Sequence, residues 1–106
     1  MIKWAKNLYL GDTINPKKKD RIMKSIETGK FTFEVYCILF ASNPENLFDI
    51  MNANELLFPY YSKKELYVVG LALSRIEAFE LVKEMIDQVY RETGSFSVRD
   101  YFTDES

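Results

Sequence analysis

Histidine is missing from all 106 residues, and cysteine occurs once, as Cys37. Without imidazole there is no Ser-His-Asp or Cys-His arrangement and no histidine ligand for a metal. A single thiol excludes an internal disulfide and a cysteine-rich zinc site, and it suits a reducing compartment. The four glycines, Gly11, Gly29, Gly70 and Gly94, stand alone, so the chain holds neither a P-loop nor the glycine-rich turn of a dinucleotide fold. The longest apolar runs, at residues 35–41 and 66–73, are strand-sized and far too short for a membrane span. The opening Met1-Ile2-Lys3-Trp4-Ala5-Lys6 lacks the apolar stretch of a secretion signal. These gaps lead us to expect a cytoplasmic protein with no cofactor, no metal and no membrane contact. Any catalysis would rest on carboxylates, lysines or tyrosines, and no pair of these is spaced tellingly. A binding role is therefore expected ahead of an enzyme.

What is present is ordinary in amount and uneven in placement. Hydrophobic residues make up 47% of the chain and charged residues 28%, the balance of a folded α+β or similar domain rather than a disordered segment. Residues 1–106 are read as one domain, long enough to bury a core without staples. Residues 1–30 hold eight Lys/Arg against three acids, and residues 31–106 hold six against thirteen, so the halves carry +5 and −7. A basic patch is expected at one end. The isoelectric point near 5.2 argues against general nucleic-acid binding, which needs a broad positive surface.

The strongest local pattern runs through residues 66–94. Leu66-Tyr67-Val68-Val69-Gly70-Leu71-Ala72-Leu73 is continuously apolar, as in a strand covered on both faces. Ser74 stands three residues before Glu77, the spacing of a capping box. Ala78, Phe79, Leu81, Val82, Met85, Ile86, Val89 and Tyr90 then share one half of a helical wheel, and Gly94 supplies the stop. The first half reads as a weaker copy. Ile2, Trp4, Leu8 and Leu10 suggest a strand; Asn15-Pro16 starts a helix whose apolar stripe is Ile22, Met23 and Ile26; Gly29 ends it. Phe31, Phe33, Val35, Cys37 and Leu39 alternate with Thr32, Glu34, Tyr36, Ile38 and Phe40 as a second strand. Residues 27–36 also recur as residues 92–101, with Glu, Thr, Gly, Phe and Tyr identical at five positions. The echo predicts a strand after each glycine. Residues 42–64 do not repeat: Asn43-Pro44-Glu45-Asn46 is a turn or a helix start, and Leu47-Phe48-Asp49-Ile50-Met51 is either a short helix or a strand paired back on the preceding one.

Two β-α-β units around an insertion at about 42–64 predict a ferredoxin-like βαββαβ sandwich, with a four-stranded antiparallel sheet backed by two helices. Its other sheet face would stay open. Tyr36, Ile38 and Phe40 would lie there, and an exposed apolar patch of that kind predicts a homodimer.

Two candidate sites follow. Lys17, Lys18, Lys19, Arg21 and Lys24 crowd the first helix, and the lysines in its first turn oppose a dipole that disfavours cations there by about 0.3–1 kcal/mol each. Lys17, Lys18, Arg21 and Lys24 are the candidate anion-binding residues, although a plain solvated helix face is the simpler reading. Tyr36, Phe40, Phe58, Tyr60 and Tyr61 are the candidate interaction surface, with Phe58-Pro59-Tyr60-Tyr61 expected outside regular structure because of its proline. Cys37 lies in the core-facing series and reads as a buried hydrophobe. Arg99, Asp100, Asp104 and Glu105 read as a solvated end.

Three segments, Trp4-Ala5-Lys6-Asn7-Leu8-Tyr9, Leu66-Tyr67-Val68-Val69-Gly70-Leu71-Ala72 and Val98-Arg99-Asp100-Tyr101-Phe102, together resemble a group of small, uncharacterised bacterial single-domain proteins. The resemblance implies a bacterial cytoplasmic protein and assigns no chemistry. The resulting expectation is a small binding or interaction module with an unknown protein partner, or alternatively a sensor of a small anionic metabolite at the first helix.

Overall fold

The computed structural model describes residues 2–30, 34–43 and 45–103. Strand β1 (Ile2–Leu10) leads to helix α1 (Pro16–Glu27), then to the hairpin β2 (Tyr36–Phe40) and β3 (Phe48–Asn52). A short 3-10 helix (Ala53–Leu57) and the single-turn α2 (Pro59–Ser62) precede β4 (Leu66–Ala72), α3 (Arg75–Thr93) and α4 (Val98–Thr103). Among the described residues, no helix is long and apolar enough to cross a membrane.

Local chemistry sets the helix ends where the sequence placed them. Asn15 Oδ1 accepts the Lys18 N–H at 2.7 Å and Pro16 opens α1. Ser74 Oγ accepts the Glu77 N–H at 3.0 Å at the start of α3. Gly94 closes α3 with φ 74°, a conformation that costs glycine nothing. The ambiguous segment around Ile50 is a strand, paired antiparallel with β2 so that Cys37 faces Met51 and Leu39 faces Asp49.

The sheet differs from the expected one. Its order is β1-β4-β2-β3. β1 runs parallel to β4, while β2 is antiparallel to both β4 and β3. The architecture is α+β with a mixed four-stranded sheet, and the antiparallel ferredoxin-like arrangement is corrected. Its expected last strand is helical instead. Val98 and Phe102, four residues apart, are both buried as the inner edge of α4, and the Tyr101 N–H donates to Ser97 O at 3.1 Å. Five alternating residues cannot separate a strand from a helix, and here the i, i+4 pair decides. In the first copy of the echo a strand does follow Gly29, but it begins at Tyr36; Phe31, Thr32 and Phe33 lie outside the described residues, as do Pro44, Asp104 and Glu105.

Both faces of the sheet are covered. Cys37, Leu39, Val68 and Leu71 pack with Ile14, Ile22 and Ile26 on the α1 side. Ile38 and Val69 pack with Leu81, Met85, Val89, Val98 and Phe102 on the side of α3 and α4. The expected open face carrying Tyr36, Ile38 and Phe40 is therefore corrected: Ile38 is fully buried, because α3 and α4 sit on the side opposite α1. Pro59 also begins a helical turn rather than standing outside regular structure.

Candidate functional site

β1 and β4 are parallel neighbours whose following helices pass to opposite faces. In open α/β sheets such diverging connections leave a crevice at the carboxyl ends of the strands, where ligands commonly bind. Here the crevice receives the chain's own carboxylate. Glu77 Oε1 accepts the Leu73 N–H at 2.8 Å, and Oε2 accepts the Thr13 hydroxyl at 3.3 Å. Glu77 thus joins the loop after β1 to the loop after β4, one residue away from the expected capping contact with the Ser74 N–H. Gly11 makes room for it: a Cβ at that position would lie 2.1 Å from Glu77 Oε1. The sequence marked Glu77 as a cap but gave no sign of this second tie, which depends on two loops meeting through the sheet.

The candidate anion-binding residues lie to the solvent side of α1. Lys17, Arg21 and Lys24 are exposed and Lys18 is half-buried. Lys17, Arg21 and Lys24 share one side by their spacing, and Lys19 pairs weakly with Asp20 at 3.8 Å.

The candidate interaction residues separate into three places. Tyr36 and Phe58 line one depression of about 580 Å³ together with Asn52, Asn54 and Arg75. The Arg75 guanidinium lies 5.4 Å from the Tyr36 ring centroid, within cation–π range. Phe40, at the other end of β2, stacks on Tyr67 at 5.2 Å and carries the Arg99 guanidinium 5.0 Å from its ring. These residues border a second depression of about 420 Å³. Arg99, read as part of a solvated end, also donates to Ala41 O. Tyr60 is exposed and meets Tyr61 edge-on at 4.9 Å, with Lys64 Nζ 2.8 Å from its hydroxyl.

A further surface was not evident in the sequence. Ile76 is 76% exposed, Phe79 53%, Tyr90 51% and Phe96 53%, and the Tyr90 and Phe96 rings stack at 5.0 Å. With half-buried Ile86, positions 76, 79, 86 and 90 follow one side of α3, about 21 Å from end to end, with the exposed Lys83 at its centre. On the opposite flank of the helix, Gln88 bonds Tyr9 of β1 and Tyr101 of α4. The stripe therefore faces the β3 side of the sheet. The signal available in the sequence was the width of the apolar arc, which exceeds what the sheet covers; Phe79 and Tyr90 belong to the excess.

Cys37 is fully buried, and burial pushes its thiol up from the ordinary 9.0 to about 12. The folded value lies above the unfolded one, so this contribution to stability is fully present below about pH 9 and is lost as pH rises through about 12. Cys37 is expected to resist a thiol reagent at pH 8 until the chain unfolds. Labelling of the folded protein as fast as a free thiol would contradict this burial.

Compared with models of known protein families, with curated proteins and with solved structures, the chain matches none.

Proposed function

We propose that the protein is a small interaction module that presents the outer side of α3 to another protein chain. The observation carrying this reading is the exposure of Ile76, Phe79 and Tyr90 along one side of α3, with Phe96 of the following loop stacked on Tyr90. About half of each aromatic side chain is open, and together with Ile76 the group offers about 400 Å² of largely apolar surface. Patches of this size on a single chain often serve binding, and aromatic side chains commonly dominate the energy of protein contacts. A reducing, cytoplasmic setting agrees with the one buried thiol.

The test is the double variant Ile76→Glu/Phe79→Glu. Because both side chains are mostly solvated in the single chain, its stability is expected to stay within about 1 kcal/mol of the parent. In gel filtration of cell extracts, the parent chain is expected to elute above its 12.5 kDa mass and the variant as a single chain. A parent that elutes alone, or a variant that stays in the larger species, would remove the reading.

A further inference from the structure

β3 is an edge of the sheet, and no described strand pairs with its outer side. The phase of the β2–β3 ladder is fixed at its two ends. The Ala53 N–H donates to Val35 O at 2.8 Å, and the Ala41 N–H donates to Leu47 O at 3.3 Å. Since antiparallel pairs alternate, residues 47, 49, 51 and 53 bond inward, and the backbone groups of Phe48, Ile50 and Asn52 point outward. The Asn52 N–H is already taken by Glu55 Oε2 at 3.0 Å. The edge therefore offers two donors, on Phe48 and Ile50, and three acceptors, on Phe48, Ile50 and Asn52.

We propose that this edge pairs with the same edge of a second copy of the chain, antiparallel about a twofold axis at Ile50. The proposal deepens the α3 reading and rests on it for its apolar area. In this register each Ile50 N–H donates to the partner's Ile50 carbonyl, and each Phe48 N–H donates to the partner's Asn52 carbonyl. The one outward donor that would repeat at the end, on Asn52, is the one Glu55 has removed. The donor set is thus satisfied by a copy of itself, and two four-stranded sheets become one of eight.

Three features favour this occupant. Edges are usually protected by lysine, proline or an outward charge, yet Phe48-Asp49-Ile50-Met51-Asn52 has neither lysine nor proline. Its one carboxylate, Asp49, is drawn to the Ser42 N–H at 3.3 Å. Phe48 and Ile50 are half-buried against the α3 side, which is also the face and the flank on which the exposed α3 stripe lies. A twofold axis at the edge brings a second, antiparallel stripe over the same seam. The stripe's area of about 400 Å², with the partly covered side chains of Phe48 and Ile50 added, comes to about 500–600 Å² per partner, below the roughly 800 Å² of a standard stable interface and in the range of a weaker, concentration-dependent dimer.

The experiment is amide hydrogen exchange by NMR on the native chain at low micromolar and near-millimolar concentrations, with sedimentation velocity on the same samples. The expected result is a doubled mass at high concentration and at least about tenfold slower exchange at Phe48 and Ile50, with little change at Asn52. Ile50→Pro removes an outward N–H without touching the β2–β3 ladder and is expected to stay single. A chain that remains monomeric throughout overturns the pairing, whether or not a different protein occupies the edge. A dimer whose Phe48 and Ile50 amides stay unprotected also overturns it and leaves the α3 reading standing. Protection that persists in Ile76→Glu/Phe79→Glu keeps the edge pairing and removes the α3 reading instead.

Discussion

Phe102→Ala is expected to cost about 3–5 kcal/mol in equilibrium urea unfolding, a large share of the 5–15 kcal/mol typical of such a domain. Phe102 is 1% exposed. Its ring meets Tyr9 edge-on at 5.6 Å, Phe48 at 6.1 Å and Phe40 at 6.4 Å. One side chain of α4 thereby joins β1, β2 and β3, and truncation leaves a cavity that three aromatic rings in fixed strands cannot close. Phe96→Ala supplies the contrast. Its ring is about half exposed and stacks on Tyr90 alone among the described aromatics, so about 1 kcal/mol is expected. A terminal strand would bury Phe96, Val98 and Phe102 on the same face and make the two losses similar. Equal losses would therefore contradict α4.

The second large effect lies at the crevice between β1 and β4. Gly11→Ala brings a Cβ within 2.1 Å of Glu77 Oε1 and 2.3 Å of Cδ. Glu77 must swing out, giving up the Leu73 N–H and the Thr13 hydroxyl. Loss of a charge-assisted bond of this kind is expected to cost about 1.5–3 kcal/mol. Glu77→Ala is expected to cost a similar amount. The double variant should then lose no more than Glu77→Ala alone, because the obstruction and the group it displaces are the same interaction. Strictly additive losses would show that Gly11 matters for some reason other than Glu77.

The helix ends were legible in the sequence because their signals are local. Asn15-Pro16, Ser74 and Gly94 each act within a few residues and as read, whereas the Glu77 carboxylate, expected on the Ser74 N–H, turns to the Leu73 N–H and to Thr13. Strand order was not legible, since pairing joins residues dozens of positions apart. One clue was present: the unbroken apolar run of β4 reads as a strand covered on both faces, which is at odds with a sheet open on one. The echo of residues 27–36 in 92–101 stops one residue before Phe102, the side chain that makes the second copy helical. Aromatic identity alone did not separate Phe40, fixed among Tyr67, Phe48 and Phe102, from Phe58 and Tyr60, which are exposed. Ile76 gave no signal because it stands alone among charged neighbours. Its place in a stripe emerges only once the footprint of the sheet on α3 is known.

The measurement that bears most directly on function is site-specific photo-crosslinking in cells, with a photoreactive phenylalanine analogue in place of Phe79 and, separately, of Lys24. Phe79 lies on the exposed stripe of α3 and Lys24 on the solvent side of α1. Discrete crosslinked species from position 79 and none from position 24 are expected if α3 is the contact surface. Adducts from neither position, or the same adducts from both, would contradict it.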